Sequence, residues 1–493
     1  SLRQLNIINT GKRGNYSSLE SLVNKCKTSM GKRYLYDKLM NPTSNINYLK
    51  SEYNIQEYVD KNIEWKDYIQ YLTSITDIER LYRKIILNRV APSDIALLFE
   101  NIKKINTLFN KIKTDKTLIS YLNITNLSKS LKTLQKKITD SVDVSKSQNI
   151  SSNDFDINIF NRGIHTESFV RLDKAEFDYE SVVKRLEGVR LFLSSLVIEK
   201  KQGSDKVRYH KTEKSGQFMV TTRTRWKKIE TNIKNKKKVT IRYECFGRSL
   251  EDSVKIDDIK SSTATGNNVR IDSTDITGMY NNILVKKALF KEILLSNYRE
   301  YINSFQDFKQ EFTNIIDFVK RIDFLFCRVK INNEYNYCKP SIEDNQEQSY
   351  FIAKGMRHPL IEHIQEREIY VPNDVSLGVK NQETGICLYG TNAVGKSSLI
   401  RSIGMCVVLA QSGFYVPCSS FLFKPYTAVF TRILGNDNIF KGLSTFAVEM
   451  SELGSIIRSA DKNSLVLGDE LCSGTETTSA FCIIQAGLVW LHN

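Results

Sequence analysis

Gly390-Thr391-Asn392-Ala393-Val394-Gly395-Lys396-Ser397 fits the pattern G-x-x-x-x-G-K-[ST] at every position, and the residues on either side decide what fold can hold it. Before it runs the apolar stretch Gly385-Ile386-Cys387-Leu388-Tyr389. After it Leu399, Ile403, Val407 and Ala410 recur on one face of a helix. The expected unit is therefore strand, glycine-bearing loop and helix, as an α/β sheet requires. In such a loop successive backbone N–H groups wrap phosphates, and the helix N-terminus adds its partial positive charge. Lys396 would reach the β and γ phosphates of a nucleotide, and the Ser397 hydroxyl would ligate Mg²⁺. The expected nucleotide-binding residues are Gly390, Thr391, Asn392, Ala393, Val394, Gly395, Lys396, Ser397 and Ser398.

A second apolar strand, Ser464-Leu465-Val466-Leu467-Gly468, ends in Asp469 and Glu470 about 70 residues beyond the loop. Seen alone, an acidic pair after a strand is more often a helix cap. At this distance from such a loop it reads as a Walker B pair, in which Asp469 holds Mg²⁺ through water and Glu470 polarises the attacking water. The adjacent glutamate favours hydrolysis of ATP over binding alone.

Working outward, the preceding chain has a different grain. From about Ser18 to Leu108 apolar residues recur at three and four, as in Leu19, Leu22, Val23 and Cys26, and the helical pattern continues to residue 196. Ser93 after Pro92 reads as a helix cap. Between about 201 and 285 the period becomes 2. Phe218, Val220, Thr222, Thr224 and Trp226 alternate with Met219, Thr221, Arg223, Arg225 and Lys227, and Val239, Ile241 and Tyr243 alternate with Lys238, Thr240 and Arg242. These are expected strands with one basic face. Helical spacing returns from Met279 through Phe326. The expected fold is multidomain α and α/β: a long helical arm (1–200), an inserted β-containing segment at its tip (201–285), returning helices (286–340) and a P-loop α/β domain (341–493).

Composition agrees with several domains. The chain has 493 residues, seven prolines against 23 glycines, and a formal charge of +16. Residues 357–493 carry 10 Lys and Arg against 12 Asp and Glu, whereas residues 1–356 carry 61 against 43. Residues 201–242 alone hold 14 basic and 3 acidic side chains, the stripe expected to neutralise phosphates, unless it is a solvated face filled by AT-rich codons. Within it Arg223, Arg225, Lys227, Lys228, Lys236, Lys237, Lys238 and Arg242 form the densest cluster and are the candidate contacts to a polyanion such as nucleic acid. Nine cysteines without a C-x-x-C spacing read as free thiols in a reducing compartment, and no uncharged apolar run is long enough to cross a bilayer. The opening Ser1-Leu2-Arg3-Gln4, without methionine, suggests a fragment or processed product.

With these residues in hand, the chain resembles the MutS family of DNA mismatch-repair ATPases over nearly its whole length. Gly390 to Ser397 resembles the family's G-P-N-M-G-G-K-S, with Thr391 where proline is usual and Ala393-Val394 for Met-Gly. Ser412-Gly413-Phe414-Tyr415-Val416-Pro417-Cys418 resembles G-x-Y-V-P-A. Gly442-Leu443-Ser444-Thr445-Phe446-Ala447-Val448-Glu449-Met450 resembles S-T-F-x-x-E-M, and Asp469-Glu470 through Gly474-Thr475-Glu476-Thr477 resembles D-E-x-x-x-G-T-x-T. Arg357-His358-Pro359-Leu360 and Val371-Pro372-Asn373-Asp374 match the family's entry to its ATPase domain. Asn24 to Arg33 and Asp77-Ile78-Glu79-Arg80 resemble its lever.

The resemblance implies a clamp that closes on double-stranded DNA under control of ATP and Mg²⁺, and a homodimer or MutS-like heterodimer. Ser444 of one subunit would approach the γ phosphate held by the other; Glu470, Lys396 and Ser444 are then the catalytic residues, and Ser397 and Asp469 the metal ligands. The mismatch-reading and connector domains would lie before Ser1, and the switch histidine and helix-turn-helix beyond Asn493. His492 does not match that histidine. Two other readings stand beside this one: a MutS-like protein acting on recombination junctions or other structured nucleic acid, and a nucleotide-binding scaffold without turnover. Tyr370 is a candidate for stacking on adenine or a core tyrosine. His165, His210 and His363 lack metal-ligand spacing. Cys387, Cys406 and Cys472 are expected to be buried, inert thiols.

Overall fold

A computed structural model describes residues 2–9, 14, 16–124, 126–162, 164, 166–198, 205–212, 216–234, 236–264, 266–364, 370–379, 384–391, 394–433, 445–469 and 477–492. It is helix-rich with several small sheets, and it divides into two compact units. One comprises Ser1–Arg80, Asn101–Lys132 and Gln310–Asn493; the other comprises Leu81–Glu100 and Thr133–Lys309. Among the described residues no helix is long and apolar enough to cross a membrane.

The first unit is built around the Lys396–Gln411 helix, whose stretch from Met405 to Ala410 is completely buried. Around it stand the Ser29–Met40, Ile46–Asn62 and Lys309–Tyr335 helices, which contribute Leu35, Leu39, Leu49, Tyr53, Phe324, Cys327 and Ile331 to the same core. Each early helix starts where a side chain can satisfy an otherwise free N–H: Thr28 accepts from Gly31 N and Asn45 from Tyr48 N. A four-stranded sheet runs in the order Ser341–Ile342, Ser420–Lys424, Tyr350–Met356, Asn373–Leu377. Separately, Ala428–Arg432 pairs in parallel with Ser464–Gly468. Gly404 marks where the central helix comes closest to that pair, since a Cβ there would lie 2.9 Å from Leu467 Cδ1 and 2.6 Å from Leu5 Cδ2.

In the second unit the long Glu167–Ser195 and Thr274–Asn303 helices lie along one another. They carry a sheet ordered Arg208–Thr212, Gly216–Thr222, Asn268–Asp272, Lys260–Thr263, a hairpin of Lys238–Cys245 with Arg248–Lys255, and the Arg223–Ile233 helix. Leu186, Val189, Leu193, Met219, Trp226, Ile229, Ile241, Val254 and Ile271 form its core.

Several expectations need correction. Arg223, Arg225, Lys227 and Lys228 are not on a strand. The strand ends at Thr222, whose hydroxyl accepts from Arg225 N and so caps a helix, and Trp226, Ile229 and Ile233 follow at helical spacing and are buried. Alternation of Thr with Arg from 222 to 225 fits both periods, and only the apolar residues beyond it discriminate. The returning helix begins at Thr274, capped by Ser273, ahead of the expected Met279. Pro92, not Ser93, opens the Pro92–Ile112 helix, the position at which proline's missing N–H costs nothing. The run Gly385–Tyr389 is unpaired and exposed where a strand was expected; among the described residues no neighbour supplies the ladder that a parallel strand needs. Cys387 is exposed in consequence, whereas Cys406 is buried as expected and Cys472 lies outside the described residues.

The start of the Ser29–Met40 helix rests on a buried carboxylate. Asp323, on the Lys309–Tyr335 helix, accepts from Lys27 N at 3.0 Å, Thr28 N at 2.7 Å and Thr28 Oγ1 at 2.7 Å. The close approach leaves no room at Gly31, where a Cβ would fall 2.2 Å from Asp323 Oδ2. Gly31→Ala is therefore expected to destabilise the protein by about 1–3 kcal/mol through overpacking. A melting temperature equal to that of the parent would contradict this account of the contact.

Candidate functional site

The glycine loop and the helix after it are held by backbone conformations that its sequence makes available. Gly395, immediately before the helix, has φ +97°, and Gly390 has φ +159°. The left-handed conformation at Gly395 lets the chain enter the first helical turn directly. Among the described residues no side chain caps the N-terminus at Gly395, which leaves that turn's N–H groups open to an acceptor. The Lys396 ammonium folds back over the loop, donating to Gly390 O at 2.6 Å and Thr391 O at 2.8 Å. Lys396, Ser397 and Ser398 thus head a helix of 16 residues with a cation, a free end and two hydroxyls together. That is a donor set suited to an anionic group.

Asp469 follows the Ser464–Gly468 strand directly, and its N–H donates to Arg432 O at 2.7 Å, which extends the parallel ladder by one bond. The Gly404–Leu467 approach sets this strand beside the helix that Lys396 heads. Asn392, Ala393, Ser444 and Glu470 lie outside the described residues, as does Thr475. Phe414 and Tyr415 are buried, as core residues of the Ser412–Cys418 segment. Tyr370 is half-buried, with Ser402 of the helix and Asn373 beside its hydroxyl, and burial raises its phenol.

The segment around Arg357 and His358 shares a core with the same helix through Met356 and Leu360. His358 is buried, and its Nδ1 accepts from Leu360 N and Ile361 N, both at 3.2 Å. Burial, followed by the nearby charge of Arg401, pushes its imidazole down to about 4. Glu362 is displaced the other way: burial lifts its carboxyl to about 7 against the opposing charge of Arg357.

The basic stripe of the second unit divides between elements. Arg223, Lys227 and Lys228 are exposed on the Arg223–Ile233 helix, opposite the buried Trp226, Ile229 and Ile233; Arg225 is half-buried. Lys236 and Lys237 are exposed in the turn that follows, and Lys238 and Arg242 share the outer face of the next strand, alternating with Val239, Ile241 and Tyr243. Arg242 is paired across the hairpin with Glu251, its register partner. The eight candidate residues therefore do not form one strand face, although seven of them are exposed.

The sequence also hides a second set of cations. Strand register aligns Arg208 with Val220, Val220 with Arg270, and Arg270 with Ser262, so residues from four strands stand in one row. His210 and Arg270 flank the Phe218 ring at 5.4 and 4.7 Å, and Arg270 Nε donates to Asp272 at 2.7 Å. No local pattern announces this row, because it depends on pairing between distant strands.

Comparison with known proteins supplies the family context. The family model for MutS domain III matches residues 1–328, and that for MutS domain V matches residues 386–493. A putative DNA mismatch repair protein MutS homologue of Acanthamoeba polyphaga mimivirus is 30% identical, covering 99% of this chain and 47% of the relative. A mitochondrial DNA mismatch repair protein MutS homologue of Sarcophyton glaucum is 27% identical over 98% of this chain and 46% of its own length. The DNA mismatch repair protein MutS of Staphylococcus epidermidis is 26% identical over 94% and 48% respectively. The chain spans about half the length of these relatives.

The imidazole of His358 gives the neighbourhood of the loop a measurable pH dependence. Its folded pKa is depressed, so its contribution to stability is complete above the ordinary imidazole value and is lost as pH falls from there toward 4. Glu362, with a raised value, contributes in the opposite sense and loses its contribution as pH rises toward 7. His358→Asn keeps an acceptor for the two N–H groups and removes the titration. Between about pH 7.5 and about pH 5 the parent is expected to lose about 2 kcal/mol relative to this variant. Thermal unfolding at the two pH values measures it, and identical pH dependence in both proteins would contradict the assignment.

Proposed function

We propose, for a chain that belongs to the MutS family of DNA mismatch repair proteins, that it binds ATP with Mg²⁺ at the Gly390–Ser398 loop and uses it to control a grip on double-stranded DNA. The observation that carries this reading is the arrangement of Lys396, Ser397 and the uncapped helix N-terminus behind Gly395, in the stretch matched by the MutS domain V model. The residues fit the ligand. Lys396 would exchange the carbonyls of Gly390 and Thr391 for the β and γ phosphates, and backbone N–H groups from Asn392 to Ser398 would take the remaining oxygens.

Ser397 and Asp469 would hold Mg²⁺, which supplies charge neutralisation at the phosphates. Glu470 would orient the attacking water, and Ser444 would present its helix N-terminus to the γ phosphate across a dimer interface, in a homodimer or a MutS-like heterodimer. In this reading 341–493 is the P-loop ATPase domain. The segments 1–200 and 286–340 form the lever, and 201–285 is the clamp inserted in it.

The DNA contacts are assigned to cations that the fold leaves exposed: Arg223, Lys227, Lys228, Lys236, Lys237 and Lys238. Such contacts go to phosphates and carry little base preference. If about five of them meet phosphates, log affinity for linear duplex is expected to fall against log salt with a slope of about −5. Replacing Arg223, Lys227, Lys228 and Lys237 by Glu is expected to abolish most of that binding. Fluorescence anisotropy across a salt series checks both, and parental affinity with an unchanged slope in the variant would remove the clamp assignment.

A further inference from the structure

The far end of the helix that Lys396 heads is gripped by buried polar groups that the proposed chemistry does not use. Tyr53 Oη donates to Ala410 O at 2.6 Å, Thr43 N to Gln411 O at 2.9 Å, and Ser412 Oγ to Lys38 O at 3.0 Å. The carbonyl of Gly413 receives two donors, Arg328 Nη1 at 2.8 Å and Gln56 Nε2 at 2.9 Å. Arg328 is fully buried, with Nη1 2.6 Å from Glu52 Oε2 and Nη2 donating to the Tyr121 hydroxyl at 3.2 Å. That hydroxyl donates in turn to Glu52 Oε2 at 2.8 Å, which closes a triangle of Glu52, Arg328 and Tyr121. Gly413 has φ +81°, and a Cβ there would stand 3.0 Å from Arg328 Nη1, so the approach of guanidinium to carbonyl depends on glycine.

The energetics of this triangle point away from a purely stabilising role. Burial works against the Arg328 charge, and Glu52, Tyr121 and Tyr48 together more than offset it. Apolar residues of similar volume often replace such a pair without loss of stability, because both charges must be stripped of water. What an apolar pair cannot do is hold a particular carbonyl by direction. The carbonyl held here belongs to the residue two positions beyond the Lys396–Gln411 helix, a rod of 16 residues and about 24 Å at 1.5 Å per residue. Shifts of a packed helix are passed on as discrete rearrangements of the bonds at its ends, since packed cores do not deform continuously.

We propose that the Glu52–Arg328–Tyr121 triangle is the latch that couples the nucleotide loop to DNA affinity: occupancy at Lys396 displaces the helix, and Arg328 reads the displacement at the Gly413 carbonyl. Arg328 stands on the Lys309–Tyr335 helix and Glu52 on the Ile46–Asn62 helix, so the displacement enters the lever through both. The proposal rests on the nucleotide and DNA reading given above. These three are positioning residues, and no contact of theirs with nucleotide or DNA is needed.

The test measures coupling, which a merely structural role would leave unchanged. Affinity for a labelled linear duplex is measured with and without a non-hydrolysable ATP analogue and Mg²⁺, in the parent, in Tyr121→Phe and in the double variant Glu52→Leu with Arg328→Met. The double variant removes both charges together and so avoids an unpaired buried ion, and Tyr121→Phe keeps the ring in place. The analogue is expected to change the parent's DNA affinity by about tenfold. Both variants are expected to keep parental melting behaviour, nucleotide affinity and nucleotide-free DNA affinity, with the change reduced toward none in the double variant and partly in Tyr121→Phe. Parental coupling in the folded double variant would overturn the latch. A parent that binds both ligands without coupling them would overturn it too, whereas a parent that binds no nucleotide would overturn the reading on which it rests.

Discussion

Everything in the first unit is arranged around a helix that is buried at one end and open at the other. From Met405 to Ala410 the Lys396–Gln411 helix has no exposed side chain; Tyr53 and Thr43 hold its last two carbonyls, and Gln56 and Arg328 hold that of Gly413 just beyond it. Among the described residues its first turn has no side-chain cap, and it carries Lys396, Ser397 and Ser398. A helix whose C-terminal bonds hold it in one arrangement presents its N-terminus in a defined place, and that is the condition for backbone N–H groups to act as a preorganised anion site. The strand beside it is positioned by the same packing. Gly404 admits Leu467, and Asp469 comes two residues later.

The second unit obeys a different constraint. Its two long helices and small sheets bury one apolar face and leave cations on what remains. The Arg223–Ile233 helix shows the division most clearly, with Trp226, Ile229 and Ile233 inward and Arg223, Lys227 and Lys228 outward. Exposure alone does not make each cation equally available. Arg242 is engaged by Glu251 and Arg270 by Asp272, whereas Lys236, Lys237 and Lys238 stand exposed around the start of a strand. A polyanion would meet first the cations whose counter-charge is solvent, since displacing a carboxylate costs part of what a phosphate returns.

Much of this was legible in the sequence where the signal is local. The loop from Gly390 to Ser397, the helix after it and the strand from Ser464 depend on neighbours within a few residues, and the structure places the helix and the strand where the sequence does. The strand expected at Gly385–Tyr389 failed because pairing is decided by distant segments, not by the apolar run itself. The strand expected over residues 223–227 gives way to a helix, because alternating Thr and Arg satisfy a period of 2 while Trp226, Ile229 and Ile233 satisfy 3.6, and burial of the tryptophan settles the competition. The Glu52–Arg328–Gly413 contacts could not be read at all. Arg328 and Gly413 are 85 residues apart, and nothing local distinguishes that arginine from the other 70 basic residues.

The central claim is that the open end of the Lys396–Gln411 helix is a nucleotide site whose main side-chain counterion is Lys396. Titration calorimetry of ATP with Mg²⁺ into the parent chain and into Lys396→Ala tests it most directly. The account predicts saturable binding by the parent and at least about a tenfold loss in the variant, roughly 1.4 kcal/mol or more. Equal affinity in the two proteins would contradict it.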